Sequence, residues 1–149
     1  MNTTLVSAVS SKPKFMSTKG RIGRVRLLAW TLALAVATIS GLVVLSGVYS
    51  AMPSILVGRL VIAGLLIVQI LTMLPVIQRL HDLNWSGWFC WLGLIPWIGL
   101  VFVLILVLMP GSRADNRFGP VPVPNSTLEG ILACLWPLLI LGFIGIAAL

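Results

Sequence analysis

The residues best equipped for chemistry lie together in Arg79-Leu80-His81-Asp82-Leu83-Asn84-Trp85-Ser86-Gly87-Trp88. This stretch holds the only His, one of three acidic residues, an Arg and an Asn. A His titrates near neutrality, and a carboxylate can orient it or support a metal. Neighbours in sequence point in different directions, however, so His81 beside Asp82 is not by itself a catalytic dyad. A catalytic metal usually needs three protein ligands, and one His, three acids and two Cys inside apolar runs supply such a set poorly. The chain has no G-x-S-x-G, H-E-x-x-H or G-x-x-x-x-G-K-[ST] pattern. The expectation is therefore a protein that is not an enzyme, with no catalytic residue, cofactor or metal.

The elements that must position this stretch are apolar. The 149 residues are 59% hydrophobic and 9% charged, against roughly 25% charged in a soluble domain. That balance predicts an all-α, polytopic membrane protein, since a span needs about 20 mostly apolar residues. Four runs are long enough, at about 27–49, 55–77, 88–109 and 131–149. In the first, Ala29, Ala33, Ala37 and Gly41 form one stripe of small side chains, suited to close helix contact. The second contains Arg59, expected to snorkel to the interface, Gln69, expected to bond across a helix contact, and Pro75. The third is interrupted at Ile95-Pro96-Trp97-Ile98-Gly99. One crossing is the expectation there, giving about four spans, and a re-entrant hairpin is the alternative. Cys90 and Cys134 read as small buried hydrophobes.

Charge sets the orientation. Six of the ten Lys and Arg precede residue 27, which places the N-terminus in the cytoplasm. Residues 1–19, rich in Ser, Thr and Lys, read as a flexible basic cytoplasmic tail. Without aromatic interleaving beyond Phe15, this cluster suits a membrane anchor and anionic headgroups rather than nucleic acid. After two crossings Arg79–Gly87 is cytoplasmic too. A third crossing would put Arg113 and Arg117 outside; a hairpin would keep them inside and leave the C-terminus outside.

On this reading Arg79 to Trp88 is an interfacial elbow. Arg79 complements the C-terminal end of the second helix and pairs with Asp82. Ser86 is the N-cap of the next helix, and Trp85 and Trp88 anchor it at the headgroups. The sharper expectation is a cytoplasmic polar cluster of Arg24, Arg79, His81 and Asp82, joined in the hairpin arrangement by Arg113 or Arg117. It would bind a lipid headgroup, another copy of the chain or a different membrane protein.

Gly20-Arg21-Ile22-Gly23-Arg24, Arg79-Leu80-His81-Asp82 with Ser86-Gly87-Trp88, Ile95-Pro96-Trp97-Ile98-Gly99, and Pro110-Gly111 with Asn116-Arg117-Phe118-Gly119-Pro120 occur in that order. Their combination resembles domain of unknown function 805, a family of small bacterial inner-membrane proteins of the YhaH and YhaI type, over roughly residues 20 to 122. The resemblance implies a multi-pass protein of the bacterial inner membrane and brings no activity or cofactor. The chain departs from the pattern at Val25-Arg26-Leu27-Leu28, and by adding a linker and apolar run over 125–149 beyond a family-like domain of 20–124. Three functions follow as expectations: an accessory or envelope component acting through helix, lipid or partner contacts; a small oligomeric transporter or channel; and a holin-like pore former. A proton-coupled exporter would want a membrane-embedded carboxylate, whereas all three acids read as lying in connections.

Overall fold

A computed structural model describes residues 14–48 and 53–147. Among them every regular element is helical: α1 (Arg24–Val48), α2 (Ser54–Asp82), a 3-10 helix (Gly87–Leu94), α3 (Ile98–Leu108) and α4 (Thr127–Ala147). The first thirteen residues of the expected flexible tail lie outside this description. Residues 14–19 are tied down, because the Gln78 side-chain amide donates to the carbonyls of Lys14 (2.8 Å) and Ser17, and Phe15 meets Trp30 edge to face.

α1 and α2 are long and apolar enough to cross a membrane, with mean hydropathies of 2.2 and 2.6 over their best windows. They lie antiparallel, since Ile22 before α1 donates to the carbonyl of Gln78 near the end of α2 (3.3 Å). Burial falls away from that end. Of the small-residue stripe, Ala29 is buried while Ala33, Ala37 and Gly41 are exposed, and an apolar cleft of about 340 Å³ opens between Ala37, Gly41 and Gly64. Thr31, Thr38 and Thr72 return their hydroxyls to carbonyls four residues back in their own helices, which satisfies them without a neighbour. Arg59 and Gln69 are both exposed. The expected bond from Gln69 across a helix contact does not form, because this face of α2 meets no other described helix.

α2 ends in a Schellman motif rather than on Arg79. Trp85 donates to the Leu80 carbonyl (2.8 Å) and Asn84 to that of His81 (3.0 Å), with Asn84 at φ 61° in the left-handed region. Trp85 and Leu80 meet in the same apolar cluster, which is the usual hydrophobic companion of this cap.

The third apolar run is not one continuous helix. The 3-10 arm breaks at Ile95–Trp97 and α3 returns to the level from which the run departed, so that Ser112 donates to the Asp82 carbonyl through both its amide and its hydroxyl (2.9 Å each). Proline explains part of the break, since Pro96 cannot donate and disfavours helix at Ile95. A γ-turn completes it: Ile98 donates to the Pro96 carbonyl (2.8 Å) across Trp97, whose φ of 66° and ψ of −50° are strained for a side-chain-bearing residue. Gly93 and Gly99 let the arms touch; a Cβ on Gly99 would stand 2.7 Å from the Gly93 carbonyl oxygen. Ser86 occupies the N-cap position of the 3-10 arm without a side-chain capping bond.

α4 begins beside the start of α1 and runs along it in the same sense, with Glu129 at Arg26 and the Trp136 indole N–H donating to the Leu28 carbonyl (2.9 Å). The packed core, Ile22, Leu27, Leu80, Cys90, Phe102 and Leu106, gathers where the start of α1, the end of α2, the 3-10 arm and α3 meet, and Cys134 on α4 is exposed rather than buried as expected.

Candidate functional site

That meeting point buries charge. Arg21, Arg26, Arg79 and Asp82 are each 5% exposed or less, while Val43, Val44, Ile62 and Ile70 along the helix shafts are more than 60% exposed. The arrangement inverts the order of a water-soluble domain.

Asp82, the last residue of α2, lies between two guanidinium groups. Arg21 donates Nε and Nη2 to Oδ1 (3.2 and 3.0 Å), and Arg79, three residues back on α2, donates Nη1 to Oδ2. The other guanidinium nitrogens are also engaged. Arg21 reaches the carbonyls of Ser112 (2.7 Å), Ala114 (3.0 Å) and Gly119 (3.1 Å), and so shapes the loop after α3. Arg79 reaches those of Leu106 (2.9 Å) and Met109, so it caps α3 and not its own helix. A cation at the unpaired carbonyls of a helix end is favoured by the helix dipole. Two positive charges around one carboxylate are thus offset by the carbonyl ends of neighbouring elements.

The other expected members separate. His81 stacks on Phe118 with centroids 3.8 Å apart, and its Nδ1 faces the Gly20 carbonyl at 3.3 Å. It does not contact a carboxylate, so the His-Asp adjacency creates no dyad. Asn116 secures the same loop by donating to the His81 carbonyl (2.8 Å) and accepting from the Phe118 amide (2.9 Å). Arg24 lies at the rim and donates to the Leu108 carbonyl (3.2 Å). Arg117 donates to the Asn84 carbonyl (3.0 Å) and covers the Phe118 ring at 4.7 Å. Arg113 is exposed and makes no polar contact among the described residues. Trp88 is 78% exposed, whereas Trp85 packs on the core. No group of three or more His, Cys, Asp or Glu that could hold a metal occurs among the described residues.

The key partner not singled out from sequence is Arg21, and a second is Glu129. Arg26 donates Nε to Glu129 Oε1 (2.6 Å) and Nη2 to Oε2 (2.9 Å), with a further bond to the Pro124 carbonyl (3.1 Å). Glu129 also accepts from the Ser126 amide (2.8 Å) while its own amide donates to Ser126 Oγ (3.2 Å). This is a capping box, readable in the sequence as Ser-x-x-Glu before an apolar run. Of the three acids only Asp115 lies in a connection; Asp82 closes α2 and Glu129 opens α4.

Glu129 precedes the apolar run of α4. The hydrogen bond from Arg26 holds its carboxyl below the usual range, against the opposing effect of burial. A depressed carboxyl stabilises the fold above the unfolded pKa of ~4.3, and that contribution is lost as pH falls through the lower folded value. Glu129→Ala is expected to cost about 1–2 kcal/mol at pH 7 through loss of the cap and ion pair. The gap in melting temperature between the variant and the unsubstituted protein should narrow as pH falls below the unfolded value of ~4.3; a gap that stays constant into acid would refute the assignment.

No curated protein and no solved structure matches the chain at a level from which a relationship could be read. The model of one family, described as protein of unknown function (DUF805), matches residues 15–120. That range contains the Arg21–Asp82–Arg79 cluster, the broken hairpin and the loop that Arg21 and Asn116 hold, and ends before α4. The match spans well over half of the chain, which therefore belongs to the DUF805 family of proteins of unknown function.

Proposed function

We propose that this chain is a non-enzymatic integral protein of the bacterial inner membrane, acting through contacts with lipid or with other membrane proteins. The observation that carries the reading is the distribution of burial: only 6% of the best window of α2 and 17% of that of α1 is covered within the chain, while charge is buried at one end. A soluble protein could not leave two such helices bare, whereas in lipid their backbones are satisfied internally and their side chains match the solvent. The buried polar groups support the non-enzymatic part, because Arg21, Arg79 and Asp82 spend their bonding capacity on one another and on backbone carbonyls.

In the proposed topology α1, α2 and α4 cross and the run 87–108 is a re-entrant hairpin. Of the described Lys and Arg, only Arg59 lies away from the end where residues 14–26, 78–87 and 110–126 meet. The concentration of positive charge makes that end cytoplasmic, so the N-terminus is inside and the C-terminus outside. The 18 residues of α4 after Glu129, 130–147, fall within the roughly 17–25 that one crossing needs.

Reporter fusions distinguish this topology from four crossings, which reverse both of the last positions. A green fluorescent protein fused after Asn125 should fluoresce, and alkaline phosphatase fused after Leu149 should be active. The opposite pair of results would overturn the hairpin, and a chain extracted from membranes by alkaline carbonate would overturn the membrane reading.

A further inference from the structure

The two arms of the hairpin leave an apolar groove of about 580 Å³ between them, within the ~300–1,000 Å³ typical of ligand-binding clefts. Trp85, Phe89 and Leu92 line one wall and Trp97, Val101 and Ile105 the other. The groove has a direction. Trp85 and Ile105 stand at the polar end, where Arg79 holds the Leu106 carbonyl, and Trp97 stands at the tip. The strained γ-turn holds the Trp97 indole 83% exposed at that tip, and backbone strain of this kind persists only where its surroundings impose it.

The polar end of the groove carries cations on both sides. Arg24 is attached to the Leu108 carbonyl, one turn beyond Ile105, and Arg117 to the Asn84 carbonyl, next to Trp85. Each guanidinium donates to one carbonyl only among the described residues, and both are exposed. They differ in this from Arg21, which makes five hydrogen bonds, and from Arg79, each of whose three guanidinium nitrogens is engaged. A guanidinium with open donors is a ready partner for phosphate, which it can engage bidentately.

We propose that this groove is a binding site for one anionic phospholipid of the cytoplasmic leaflet, with an acyl chain lying between the hairpin arms and the phosphate held by Arg24 and Arg117. The inference rests on the membrane reading above. It assigns the headgroup contact to the two rim arginines and not to the buried cluster, and it gives the broken hairpin a purpose that a plain crossing could not serve: a straight helix has no second arm to form a groove.

Photo-crosslinking of the full chain in phosphatidylcholine vesicles, with a trace of phosphatidylglycerol carrying a diazirine on its acyl chain, tests the site. Adducts should concentrate several-fold on peptides covering 85–105 over those of the exposed shafts of α1 and α2. Excess unlabelled phosphatidylglycerol should displace them and phosphatidylcholine should not. Val101→Trp, which fills the groove from an exposed position, should abolish the excess labelling. Arg24→Gln combined with Arg117→Gln should bring labelling of 85–105 down to that of the exposed shafts, because the bulk phosphatidylcholine then competes equally, and undiminished labelling in that variant would overturn the headgroup assignment. Adducts spread in proportion to exposed area, equal competition in the unsubstituted protein, or indifference to Val101→Trp would each overturn the site. A chain washed from the vesicles by alkaline carbonate would instead overturn the membrane reading beneath it, whereas a carbonate-resistant chain with evenly spread adducts fails the groove alone.

Discussion

Asp82→Asn is expected to destabilise the protein by about 3–5 kcal/mol, the penalty for removing one partner of a buried ion pair. The side chain is nearly isosteric, so the effect isolates charge. Among the described residues Asp82 is the only carboxylate that contacts Arg21 and Arg79, whose side chains are fully buried. Neutralising it leaves two guanidinium groups facing one another across an amide, with no water to screen them. Their other bonds increase the damage. Arg21 holds the carbonyls of Ser112, Ala114 and Gly119, and Arg79 those of Leu106 and Met109, so any retreat of the cations releases the loop and the end of α3 together. Thermal unfolding of the detergent-solubilised protein should show a large fall in midpoint, with hydrogen exchange rising first across 106–119. An unchanged midpoint would show that the cluster does not hold the fold.

The same cluster shows how far the sequence could be read. Composition alone predicts long apolar helices, compatible with a membrane, because apolar runs with few charges satisfy their backbones best in that form. The runs at 27–49 and 55–77 correspond to α1 and α2 closely. The stretch Arg79 to Trp88 is also an elbow, since local signals suffice: Asn84 can take the left-handed conformation that ends a helix, and Arg79 stands three residues from Asp82 on it. What escaped are pairings across 61 and 103 residues, Arg21 with Asp82 and Arg26 with Glu129. Nothing local marks Arg21 above its basic neighbours, whose charges all read as an anchor. With three acids for ten cations, each buried carboxylate must be shared or specific. The expected single crossing of the third run rests on length, and only the contact of Ser112 with Asp82 shows that both its ends lie at one level.

Gly111 provides the sharpest independent test of that closure. Gly111-Ser112 follows the hairpin and passes directly over the Asp82 carboxylate, so closely that a Cβ on Gly111 would overlap the carboxyl group. Such overlap is normally relieved by rotating the side chain away, but Asp82 is pinned from both sides by Arg21 and Arg79, and its own carbonyl accepts from Ser112. Relief must come either from breaking the buried ion pairs or from lifting the loop off α2. Gly111→Ala should therefore cost more than the ~1–3 kcal/mol usual for overpacking. Gly119→Ala is no equivalent control, because its φ of 130° would add backbone strain; Gly130→Ala, with open space around its Cβ position, is suitable and should be nearly neutral. The decisive comparison is a double-mutant cycle with Asp82→Ala. Once the carboxylate is gone the added methyl has room, so Gly111→Ala should cost little in that background, and the two substitutions should be strongly non-additive. Simple additivity would mean that the loop does not close over Asp82 and that the hairpin does not return to the end of α2.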